Sequence, residues 1–128
     1  MNKINRIAGY LVLLLAITLL PTNSIAKKDP IKEDQKKIKS LKQNYLKTKR
    51  DFLKERKSNK KKNTYSRATL LYAEGIMRSI SLKPKQKYPK ALKLYREVLK
   101  IDPKNKIARV NRDLIIGIYK EMGRKIPS

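Results

Sequence analysis

Cysteine and histidine are absent from this chain of 128 residues. Their absence excludes thiolate and imidazole nucleophiles, histidine general bases, disulfide bridges and any zinc site built from those ligands. Acidic residues are scarce as well, with 10 Asp and Glu against 34 Lys and Arg, a formal net charge of +24. A metal site or acid–base chemistry would have to rest on those few carboxylates, which are mostly isolated among lysines. Glu33 and Asp34 are adjacent, but neighbours on a helix point about 100° apart and do not converge on one ligand. With no nucleophile, ligand cluster or phosphate loop in view, neither an enzyme nor a cofactor is expected.

Positive charge is what the chain has in abundance, most of it lysine spread along its length. Such an excess drives association with polyanions or acidic protein surfaces and weakens as salt rises. Plain solvation of the charges is the competing explanation.

Residues 1–26 have the three parts of a secretory signal. Lys3 and Arg6 form a basic start, and Ile7 to Leu20 is apolar but for Gly9, Tyr10 and Thr18. Pro21 ends that run, and Ser24-Ile25-Ala26 places small residues where a signal peptidase needs them. The run is shorter than the roughly 20 residues that cross a bilayer. The expectation is an exported protein, periplasmic or secreted. The alternative is an uncleaved signal that anchors it to the inner membrane. No cysteine follows the run to accept a bacterial lipoprotein's lipid. Without residues 1–26 the chain keeps 32 basic and 10 acidic residues, a net +22. Nucleic acid is then a poor partner. Wall polymers, anionic lipid headgroups and acidic protein patches are better ones.

Residues 27–63 read as a basic arm and linker. A turn at Asp29-Pro30 opens a helix expected from about Ile31 to Lys57. Ile31, Ile38, Tyr45 and Phe52 recur every seven residues, with Leu41 three after Ile38, but Asp34, Thr48 and Glu55 leave the seam partly polar. This partial heptad gives one narrow apolar stripe. The stripe has three possible uses: it packs on the domain that follows, it lies on an anionic membrane around Leu41, Tyr45, Phe52 and Leu53, or it folds on a partner. KSNKKKN, residues 57–63, reads as a flexible basic linker in each case.

From Thr64 the apolar residues become dense, and residues 64–128 read as a helical domain. Thr64 or Ser66 is a candidate cap for a helix over 64–82. Gly75 costs about 1 kcal/mol in a helix interior relative to alanine, which points to a close helix crossing. Leu82-Lys83-Pro84 closes that helix, and KPKQK forms a loop. A second helix, 88–101, carries Ala91, Leu92, Tyr95, Val98 and Leu99 at helical spacing, with Pro89 in its first turn. Asp102-Pro103 stops it. A third, 106–122, has Asn105 as cap, a main stripe of Ile107, Val110, Leu114 and Ile118 widened by Ala108, Ile115 and Tyr119, and Gly123 as its terminator. Short connections make the helices antiparallel neighbours, an all-α fold.

The order Tyr88, Ala91, Tyr95, Val98, Pro103 resembles the second helix and closing turn of a tetratricopeptide repeat. Ala91 matches the small mid-helix residue, Tyr95 the aromatic one turn later and Pro103 the closing proline; Val98 departs, since alanine is usual there. Gly75 stands for the first-helix glycine, although the loop before Tyr88 is longer than the family's. The helix after Pro103 would open a second unit or cap the array. The resemblance covers about 60 residues, one repeat and one half. It implies TPR-like helical hairpins that bind a protein or peptide, without a cofactor, through a groove that draws on Tyr72, Arg78, Asn111 and Arg112. Cations there would favour an acidic peptide. Because about three repeats are usually needed for stability, the missing cover would come from the basic arm, self-association or a partner. A second class of function stays open: a protein that binds polyanions or anionic membrane surfaces through its lysines.

Overall fold

The computed structural model describes residues 28–128; the expected signal segment, residues 1–26, lies outside the described residues. The described chain is all-α. It consists of α1 (Pro30–Lys54), α2 (Asn59–Arg78), α3 (Pro84–Ile101) and α4 (Lys106–Glu121), with no strand among the described residues. Each helix packs on the next in sequence, α1 on α2, α2 on α3 and α3 on α4. No described helix is long and apolar enough to cross a membrane.

Local chemistry sets the boundaries. Asp29 accepts hydrogen bonds from the Ile31 and Lys32 amides and Pro30 occupies the first turn, so α1 begins where its orphan donors are satisfied. Asn105 does the same for α4 by accepting from the Ala108 amide at 3.0 Å. At the far end of α4, Gly123 has φ +60, its amide bonds to the Lys120 carbonyl, and the Arg124 amide bonds to that of Tyr119. This is the left-handed glycine terminator expected there.

Four boundaries differ from the sequence expectation. The arm's helix ends at Lys54, not Lys57. KSNKKKN is not a flexible linker: Ser58 caps α2 by accepting from the Lys61 amide, Lys61 pairs with Glu55, and Asn59 to Asn63 are helical. Thr64 and Ser66 are therefore interior residues, and Thr64 bonds back to the Lys60 carbonyl. Apolar periodicity starts only at Tyr65, so spacing alone placed the start too late. Further on, α2 stops at Arg78 and the expected KPKQK loop is mostly helix, because Pro84 serves as the first residue of α3. Pro89 consequently lies inside α3 and not in its first turn. The carbonyl that loses its partner to Pro89 belongs to exposed Lys85.

Of the three uses open to the arm's stripe, packing on the following helices is the one observed. Ile38, Leu41 and Phe52 pack against the core and Tyr45 belongs to it. Of the four residues that a membrane contact would use, Leu41, Tyr45 and Phe52 are packed toward the other helices, whereas Leu53 is exposed. The polar seam positions have specific partners. Thr48 is buried and bonds to the Asn44 and Tyr45 carbonyls. Asp34 accepts from the Ser79 and Ser81 hydroxyls and the Ser81 amide, clamping the α2–α3 connection onto α1. Burial would raise the Asp34 pKa, but these hydrogen bonds outweigh it and hold the carboxyl below its ordinary value.

Candidate interaction surface

A polar cluster on α3 joins α1, α2 and α3. Glu97 of α3 accepts from Tyr45 Oη at 2.9 Å and from Lys49 Nζ at 2.8 Å, both on α1, and from Tyr65 Oη on α2. Burial pushes the Glu97 pKa up, but bonds from Lys49, Tyr65 and Tyr45 outweigh it and hold it below the usual range. The same geometry raises Lys49, chiefly through its bond to Glu97, and raises Tyr65 through burial and then Glu97. Tyr45 lies 5.5 Å from Tyr72 and 6.2 Å from Tyr65 between ring centroids, while Phe52 stacks on Tyr65 at 5.5 Å. This cluster fastens helices together. It contains a carboxylate, phenols and an ammonium, all engaged with one another.

Ala91, Tyr95 and Val98 are fully buried, and Tyr88 is half-buried beside the core. Pro103 lies exposed in the α3–α4 turn, where its carbonyl accepts from Arg109 at 2.8 Å. Gly75 does mark a close crossing: a Cβ added there would sit 2.5 Å from Leu41 Cδ1. The helix that crosses it is α1.

The four expected groove residues do not form one set. Tyr72 is a correction: it is buried beneath Tyr45, with the Lys90 ammonium 5.7 Å from its ring, because that side of α2 faces α1. Arg112 is tied to its neighbour Asp113 at 2.7 Å. Arg78 is exposed at the end of α2 and pairs with Glu74 at 3.9 Å, and Asn111 is half-buried on α4. The Tyr95 hydroxyl is buried and makes no hydrogen bond among the described residues. Burial pushes its pKa to about 12, with Glu74 adding to the shift.

The feature that sequence reasoning missed is on α4. Ala108 and Ile115 face the core, whereas Ile107, Val110 and Leu114 are 50%, 66% and 52% exposed. These three were expected to be the buried stripe. The apolar arc of α4 is wider than the surface α3 offers, so one edge is covered and the other is open. Lys106, Arg109 and Lys120 are exposed on the same helix. Most carboxylates are engaged: Asp29, Asp34 and Asp102 serve caps and turns, and Glu33, Glu55, Glu74, Glu97 and Asp113 are ion-paired, with Glu33, Glu55 and Asp113 still exposed at the surface.

Comparison with protein-family models, curated proteins and solved structures gives no match to this chain.

Proposed function

We propose that this chain is an exported, non-enzymatic protein-interaction module of the bacterial cell envelope, built from TPR-like helical hairpins, and that it receives an acidic amphipathic segment of a partner on the open face of α4. One observation carries the reading: the unpartnered stripe Ile107–Val110–Leu114 on a helix with exposed Lys106, Arg109 and Lys120. An amphipathic helix laid along such a stripe contributes apolar residues at every third or fourth position, and glutamates along one margin meet Lys106, Arg109 and Lys120, which follow one edge of the stripe by helical register. A second copy of the chain would set cation against cation, which disfavours it as occupant. The buried Ala91, Tyr95 and Val98 and the Asp102-Pro103 turn support the repeat resemblance. The basic arm supplies cover that one and a half repeats lack.

The test uses the full chain and a designed acidic amphipathic peptide with leucines at positions i, i+3, i+4 and i+7. Fluorescence anisotropy should show binding that Val110→Asp with Leu114→Asp weakens at least about tenfold, the effect of about 1.4 kcal/mol. A peptide with lysines in place of its glutamates should not bind. Equal binding by the double variant refutes the site. A self-association that Leu114→Asp abolishes would instead assign the face to a second copy.

A further inference from the structure

The outward face of α1 carries a second and independent feature. Lys32, Lys36, Lys39, Gln43, Lys47, Arg50 and Lys54 follow one another at steps of three and four, which places them on one stripe of the helix. All are exposed, and none of the cations among them forms an ion pair among the described residues. The stripe is about 33 Å long at 1.5 Å per residue. It holds two triads of cations, one on each side of Gln43. Along one edge lie Leu46 and Leu53, 43% and 47% exposed. Glu33 and Asp51 fall on the other edge by the same helical register.

We infer that this face docks the protein on an anionic phospholipid surface, with the two triads over the headgroups and Leu46 and Leu53 against the acyl boundary. Cations near an anionic leaflet attract it strongly, and exposed leucines beside them add apolar burial. This arrangement shares only Leu53 with the lipid contact that the partial heptad suggested, because Leu41, Tyr45 and Phe52 are turned toward the other helices. A linear polyanion would use the cations but leave the leucines without a role. Single-stranded nucleic acid is a poorer fit, since it binds over stacked aromatic side chains and both aromatic residues of α1 point inward.

The absence of cysteine allows a direct test on the full chain. Leu46→Cys, labelled with a polarity-sensitive fluorophore, is titrated with phosphatidylcholine vesicles with and without phosphatidylglycerol. The probe should shift to the blue only with the anionic vesicles. Adding Lys47→Gln, Arg50→Gln and Lys54→Gln should weaken lipid binding about a hundredfold, at about 1 kcal/mol per cation near the surface. The equally charged control Lys85→Gln, Lys104→Gln and Lys125→Gln should change it only a few-fold. Equal losses in the two variants, or an equal blue shift with neutral vesicles, would overturn the proposal. Tight binding of inorganic polyphosphate with no response of the probe to vesicles would overturn it as well, in favour of a linear polyanion.

Discussion

Replacing Glu97 with leucine removes the acceptor that serves three donors on two other helices. Lys49 is more than a third exposed and can turn to water. Tyr45 and Tyr65 are buried and their hydroxyls cannot easily follow. Each buried hydroxyl left unpaired costs about 1–3 kcal/mol. Leucine recovers part of that through burial, so the net loss should be about 2–4 kcal/mol. For a domain of this size each kcal/mol moves the melting temperature by about 4–8 °C, so the midpoint of thermal unfolding followed by circular dichroism should drop by about 8–30 °C. Adding Tyr45→Phe and Tyr65→Phe removes the orphaned hydroxyls and should restore at least half of the loss, because deleting a whole polar set is less harmful than deleting one member. A drop below about 4 °C for the single variant, or no recovery in the triple one, would refute the role given to the cluster.

Further outcomes follow from the same packing. The Glu97 and Asp34 carboxyls both sit below their ordinary pKa in the folded chain. The stability they confer is therefore complete above the unfolded carboxyl range near pH 4 and is lost as pH falls through their lower folded values. Melting temperature should fall below that pH, less steeply in Asp34→Asn. Gly75→Leu should destabilise by about 1–3 kcal/mol or more through overpacking against Leu41, measured by urea unfolding; an unchanged midpoint would contradict the crossing. Tyr95→Phe deletes a hydroxyl with no hydrogen bond among the described residues. It should leave stability within about 0.5 kcal/mol or raise it, and a larger loss would reveal a bond to Asn111.

Helix identity was legible where apolar spacing was dense, as from Ala91 to Leu99 and from Ile107 to Tyr119. Boundaries were less so, because they depend on single caps. Ser58 starts α2 amid lysines that carry no periodic signal, and Pro84 begins α3 where a proline reads equally well as a stop. The polar positions of the α1 seam looked like weaknesses, yet Asp34 finds its partners 45 and 47 residues away. The Glu97 cluster was illegible for the same reason, since its donors lie 32, 48 and 52 residues off. Periodicity tells which residues share a helix face. It does not tell how much of an apolar arc a neighbour will cover, and α4 is where that distinction produced the candidate surface.

The most direct test of the interaction account is nuclear magnetic resonance mapping on the isotope-labelled full chain, titrated with the acidic amphipathic peptide. The account predicts amide shifts concentrated at Ile107, Val110 and Leu114, persisting at moderate salt, with α1 unaffected. Shifts confined to Lys32–Lys54 that vanish as salt is added would contradict it.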